Sequence, residues 1–207
     1  MALFAKEFKC PSCGANIKQQ NPASRSISCG YCGQTSHINA ESLRAAGEQH
    51  LLIDYDSYLS VGNRGRWQEQ GFTILGRLRI EYDDGFWDEW YINFDDGKPA
   101  WIQEDDGSFM LFQAAGEVSG LQYNNIHVGT FANFNQDLTN VFITSKSRAK
   151  VEGGEGELPF RIIPGETADF VEGVKEGEMV SIEILPDETS IYLGRIVSLD
   201  DLDLTYS

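Results

Sequence analysis

The chain reads as mainly β, with a small four-cysteine module at its N-terminus followed by an all-β, barrel- or sandwich-like domain built from antiparallel meanders. Three observations predict this. Between Gly71 and Phe112 apolar residues recur with a period of two, the spacing of half-buried strands. Asp-Asp-Gly triplets at 83–85, 95–97 and 105–107 punctuate those runs, and Asp-Gly favours tight hairpins because both turn positions want a positive φ. All four cysteines fall within the first 32 residues as two Cys-x-x-Cys pairs. A chain of 207 residues, 41 % hydrophobic and 12 % aromatic, has enough apolar side chains to bury a sizeable core.

Cys10-Pro11-Ser12-Cys13-Gly14 and Cys29-Gly30-Tyr31-Cys32-Gly33 are fifteen residues apart, a spacing that suits one four-cysteine metal site. The glycine after each second cysteine lets the backbone turn its amides toward the sulfurs. No apolar run approaches the ~20 residues of a membrane span, and Met1 to Lys9 lacks the apolar core of a secretory leader, so the expected compartment is the cytoplasm. In a reducing cytosol paired cysteines hold metal rather than disulfides. Tetrahedral sulfur ligation suits zinc and iron alike, with zinc preferred. Ligation by Cys10, Cys13, Cys29 and Cys32 closes the shell, so Zn2+ here is expected to be structural, supplying folding free energy on the order of 10 kcal/mol. His37 is expected at the surface.

The segment resembles a bacterial zinc ribbon, on Phe8-Lys9-Cys10-Pro11-Ser12-Cys13-Gly14-Ala15 and Cys29-Gly30-Tyr31-Cys32-Gly33. The fold expected is therefore a zinc ribbon over 1–38, a short helical linker over 39–54 capped by Asn39, and an all-β domain over 55–207. Lys6, Lys9, Lys18 and Arg25 against Glu7 give residues 1–40 a balance of +3; as the whole chain is −16, the other 167 residues carry −19. That acidity disfavours nucleic acid and anionic membranes as partners of the larger part. Nucleic acid is left to residues 1–40, where Phe4, Phe8 and Tyr31 could stack on bases. The simplest use of the acidic surface is solubility.

Within the central meander, Phe72, Ile74, Leu78, Ile80 and Tyr82 share one parity with Gly76 among them, which predicts one apolar face. Trp87, Glu89 and Tyr91 share one face of the next strand and Asp88 and Trp90 the other, so the two carboxylates point apart and make a poor acid/base pair. Asp88 or Glu89 is expected to pair with Arg77 or Arg79 across the hairpin, because a buried carboxylate needs a partner. Trp87, Asp88, Glu89, Trp90 and Trp101 are the candidate ligand or partner surface, and no residue is assigned a catalytic role.

Further on, 118–123, 141–144, 149–152, 180–185 and 191–197 read as strands. Gly153-Gly154-Glu155-Gly156 lacks the Lys and Ser/Thr of a phosphate loop. His50, beside Leu51 and Leu52, reads as a boundary residue, His127 has no triad partners nearby in sequence, and Phe131, Phe134 and Phe142 read as core.

Leu59-x-x-Gly62-x-x-Gly65, Gly71 to Arg77, Trp87-Asp88-Glu89-Trp90-Tyr91, Phe94-Asp95-Asp96-Gly97 and Trp101, with Gly156 to Phe160, Tyr192 to Arg195 and Val197 to Leu202, resemble the bacterial family catalogued as domain of unknown function 4178, over roughly 55–205. No activity goes with that resemblance. It implies a context of membrane-stress and polyamine-synthesis functions. The first expectation is a non-enzymatic adaptor whose ribbon and acidic β surface dock a protein partner in a stress or envelope-associated assembly. The second is a domain that binds a polyamine-like cation in an acidic cleft lined by Trp87, Trp90 and Trp101, or an enzyme acting on one. The third is nucleic-acid binding through the ribbon. The absence of a catalytic constellation weighs against an enzyme.

Overall fold

The computed structural model describes residues 6–39, 42–46, 52–53, 56–83, 85–185 and 188–205. Five short strands form the N-terminal module: β1 (Lys6–Lys9), β2 (Asn16–Gln19), β3 (Ser26–Ser28), β4 (Thr35–Ile38) and β5 (Leu43–Ala45). β1 and β2 pair across the first cysteine turn, and β3 and β4 across the second. β5 adds antiparallel to β4. This corrects the helical linker: Leu43 to Ala45 is extended, its backbone drawn into the sheet edge that β4 leaves open, while 40, 41 and 47–51, His50 among them, lie outside the described residues.

The meander is observed as expected. β6 (Arg64–Trp67) leads into β7 (Gln70–Tyr82), β8 (Gly85–Phe94), β9 (Pro99–Asp105) and β10 (Ser108–Glu117), each antiparallel to the last. Asp106 and Gly107 both take positive φ between β9 and β10, the hairpin geometry that Asp-Gly favours. The expected face of β7 is split, however. The register with β8 slips between Ile74 and Gly76, so Leu75 is an extra residue; Phe72 and Ile74 join one apolar cluster and Leu78 and Ile80 another.

In the second half, β11 (Phe131–Ala132) precedes β12 (Val141–Leu158), β13 (Thr167–Lys175), β14 (Glu178–Ile184), β15 (Thr189–Val197) and a one-turn helix, α1 (Leu199–Leu202), capped by Ser198 and Asp201. The segments 141–144 and 149–152, expected separately, are parts of one 18-residue strand. Val118 to Gln122 is loop rather than strand. β13 was not anticipated, because in it neither parity is uniformly apolar.

β12 pairs with β13 through its first half, with β7 from Lys150 to Gly156, and with β3 at Glu157 and Leu158. The β12–β7 pairing closes the sheet, so β7, β8, β9, β10, β15, β14, β13 and β12 make an eight-stranded antiparallel barrel. Gly76 faces Gly156 at this seam, and a Cβ on either would run into the opposing backbone. Gly153 to Gly156 is thus a seam, where glycine permits close approach.

Two apolar clusters lie on the outside of the barrel under covering segments. One joins Phe72, Trp90, Phe94 and Ile102 to Leu59 and to Leu202 of α1. The other joins Val171, Val180 and Ile182 to Ile126 and Leu138 of the long loop before β12. Phe131 and Phe142, expected in the core, face outward, Phe131 being 70 % exposed with its ring centroid 5.3 Å from that of Phe142. Among the described residues no helix is long and apolar enough to cross a membrane.

Gly76→Ala is expected to force the seam apart at the Glu157 carbonyl and to cost about 1–3 kcal/mol in urea unfolding. An Ala at Gly97, whose Cβ position is open apart from its positive φ, is expected to cost less.

Candidate functional site: a four-thiolate cluster and an acidic barrel interior

The two cysteine turns are built alike. The amide of Gly14 donates to the Cys10 carbonyl and that of Gly33 to the Cys29 carbonyl, and both glycines take positive φ. This brings the four sulfurs within 4.8 Å of one another. A tetrahedral metal with bonds of about 2.3 Å sets its sulfurs about 3.8 Å apart. Cys10 Sγ lies 3.7 Å from Cys32 Sγ, and Cys13 Sγ 3.8 Å from Cys29 Sγ. The residues therefore fit a four-thiolate metal ion. Burial works against ionising Cys10, yet the amides of Cys13 and Ser12 hold its thiol down to about 7. Cys13, although the Ala15 amide favours its thiolate, is pushed up to about 12 by desolvation and the neighbouring sulfurs. Metal uptake accordingly displaces protons.

The module is tied to the barrel by Glu157, a buried carboxylate near the end of β12. It accepts from the amides of Gln20 and Asn21 at 2.6 and 3.0 Å and from Ser24 Oγ at 2.8 Å. Asn21 Nδ2 reaches Tyr91 Oη at 3.3 Å. His37, expected at the surface, is half-buried, with Nε2 donating to the Ile162 carbonyl at 3.1 Å.

The expected carboxylate–arginine pair is present on the outer face of the meander. Arg79 grips Asp88 with Nε and Nη2 at 2.8 and 3.0 Å, and Arg77 Nε lies 3.6 Å from the same carboxylate. Trp90 shares this face and donates to Glu104 Oε2 at 2.8 Å. Trp90 and Asp88 therefore lie on the opposite face from Glu89 and Trp101, which corrects the expected cleft of three tryptophans.

Glu89 and Trp101 point inward, into a cavity of about 240 Å3 lined by residues of all eight strands. A single water needs roughly 10–15 Å3 on the same kind of measure, so there is room for a small ligand. The floor and walls are aromatic and aliphatic: Leu78, Ile80, Trp101, Phe112 and Phe170, with Trp87 edge-on to Phe170 at 5.1 Å. Set into them are Glu89, already a candidate from the sequence, and Glu183, which sequence reasoning missed, as it missed Glu172, which bonds the lining residue Ser181. Glu183 lines the cavity and has no hydrogen-bond or ion-pair partner among the described residues. Glu172 accepts from Ser181 Oγ at 3.0 Å, and Glu89 from Trp87 Nε1 at 3.0 Å. Glu166 and Glu188 stand at the exposed rim. The basic residues at the lining are Lys150, which pairs with Glu81 at 3.2 Å, and the exposed Arg161.

Desolvation is the main reason these acids resist ionisation. It raises Glu89 against the pull of the Trp87 hydrogen bond. It takes Glu172 to about 7, and, with Glu89, Glu188 and Glu166 adding repulsion, Glu183 to about 8. Tyr192 is raised by burial and by the same glutamates. These glutamates therefore keep their protons to higher pH than ordinary carboxyl groups.

A sequence model of the family described as Domain of unknown function (DUF4178) matches residues 60–199, about two thirds of the chain. No curated protein and no solved structure matches.

Between the ordinary carboxyl value of 4.5 and about 8, the folded barrel holds more protons on Glu172 and Glu183 than the unfolded chain does. Their contribution to stability is therefore full below 4.5 and is lost as pH rises through 7 and 8. Urea midpoints are expected to fall from pH 5.5 to pH 8.5, and Glu183→Gln is expected to flatten that slope.

Proposed function

The chain belongs to the DUF4178 family, whose description assigns no activity, and from its own geometry we propose that it binds a small organic cation, a polyamine or similar alkylammonium, inside the barrel. The observation that carries this is Glu183, desolvated beside Glu89 and Glu172 in an aromatic-walled cavity and without a cationic partner among the described residues. A bare inorganic cation could take oxygen ligands from the glutamates and from Gln103, Ser181 and Ser190, but it would make no use of the apolar wall. An alkylammonium places its charge on the glutamates and its methylenes on Leu78, Ile80 and Phe170, with cation–π contact from Trp101. Binding is non-covalent, and no reaction is assigned. We assign the four-thiolate ion as structural zinc in a ribbon-like module, because a closed shell leaves no position for substrate.

Isothermal titration of the metal-loaded protein with spermidine tests this. Affinity is expected to rise with pH through 7–8, because ammonium binding must displace carboxyl protons. Release of those protons shows as a dependence of the apparent enthalpy on the buffer. Glu183→Gln and Glu89→Gln are each expected to weaken binding by about tenfold or more. Binding that is indifferent to pH and to both substitutions would place the amine elsewhere.

A second reading, docking of a protein partner through the cysteine module, draws on Tyr31, which stands 85 % exposed between Cys29 and Cys32. Such a partner is expected to be captured by the metal-loaded protein and lost with Tyr31→Ala at unchanged metal content. Equal capture by the two proteins would remove Tyr31 from the interface.

A further inference from the structure

β12 leaves the barrel wall at Leu158, and the next four residues, Pro159 to Ile162, turn across the cavity and line its mouth. Phe160 lies stacked on Trp101, the ring centroids 5.9 Å apart and the planes at 20°. No strand pairing holds this segment. Its polar backbone groups are held instead by the cysteine module. Ser26 Oγ, itself fully buried, donates to the Phe160 carbonyl at 2.8 Å and accepts from the Ile162 amide at 3.1 Å. His37 Nε2 donates to the Ile162 carbonyl at 3.1 Å, and the Arg25 amide to the Leu158 carbonyl at 2.8 Å.

Ser26 and His37 stand opposite each other in the β3–β4 pair, and those two strands run into and out of the second cysteine turn. The buried apolar cluster of the module consists of Cys10, Ile17, Ile27 and Cys29, two of which are thiolate ligands. With so small a cluster, the two short strands have little besides the pairing of β3 with Glu157 and Leu158 to fix them without the ion. The side chains that clamp the cavity mouth are thus positioned by metal ligation some three to five residues away in sequence.

We propose that the four-cysteine module is a metal-dependent latch on the barrel: with the ion bound, Ser26 and His37 hold Pro159 to Ile162 across the mouth, and loss of the ion releases that segment. The latch rests on the reading of the cavity as a ligand site, and it makes retention of the ligand respond to metal supply. The metal opens and closes access while the glutamates bind.

Hydrogen–deuterium exchange resolved to single amides separates the latch from the ligand. On chelation the Ile162 amide is expected to exchange faster, on the order of a hundredfold, while the paired amides of β8 and β9 keep their protection. Ser26→Ala and His37→Ala are expected to accelerate the same amide with the metal content unchanged. In parallel, spermidine affinity is expected to drop about tenfold in the chelated protein and in Ser26→Ala. An Ile162 amide indifferent to chelation and to Ser26→Ala overturns the latch. Exchange that spreads to β8 and β9 also overturns it, since the metal would then support the whole barrel. If the amide responds as expected but spermidine binds no form, the latch stands and the cation reading of the cavity falls.

Discussion

The closure of β12 onto β7 is the constraint on which the rest of the molecule depends. Without it the sheet is an open one with two exposed edges, and the inward side chains of eight strands face water rather than a cavity. At the seam Gly76, Gly154 and Gly156 stand where a Cβ would meet the opposing backbone, and they allow the two strands to come together. From Glu157 onward the same strand turns to other tasks. It pairs with β3, offers a buried carboxylate to the loop 20–24, and then passes over the mouth of the barrel. Barrel closure, docking of the metal module and shaping of the cavity are therefore consecutive parts of one strand and its extension.

The distribution of polarity follows from that closure. An eight-stranded barrel wrapped by loops has two buried faces, and here the better-packed one is outside. Phe72, Trp90 and Ile102 on one flank, and Val171, Val180 and Ile182 on the other, are covered by chain segments that bring apolar partners. Their burial supplies a large share of the hydrophobic free energy of the fold, beside that of the inner cluster around Leu78, Trp87 and Phe170. The inner face is thereby left able to carry glutamates, serine and tyrosine at some cost in stability, which is a common property of binding sites.

Period-two alternation in the sequence was enough to locate the meander and its turns, and the cysteine spacing was enough to bring the four thiols together. Alternation says that a strand has two faces and does not say which one water reaches. In Met179 to Ile184, the apolar Val180, Ile182 and Ile184 alternate with Ser181 and Glu183, a pattern that reads as a half-exposed strand and is in fact inverted, with the polar face enclosed. Glu172 was hidden for the same reason, in a strand whose mixed parities gave no signal. That Glu89 shares a face with Trp87 was legible from parity, whereas the enclosure of that face and the company Glu89 keeps depend on pairings between β8 and strands that lie far along the chain. The bulge at Leu75 could not be read either, because one inserted residue exchanges the faces without changing composition.

The pairing of β3 with Glu157 and Leu158 also has a consequence for the order of events as the chain folds. Contacts within the module span at most a few tens of residues, whereas those from Gln20, Asn21 and Ser24 to Glu157 bridge 133–137 residues. Non-local pairings of this kind are slow to form, since the intervening chain must be brought together first. During synthesis the four thiols emerge well before their docking surface exists. Gathering of the four thiols is therefore a local, early event and assembly of the barrel a late one, so a nascent chain can complete its metal-capable site long before it encloses a cavity.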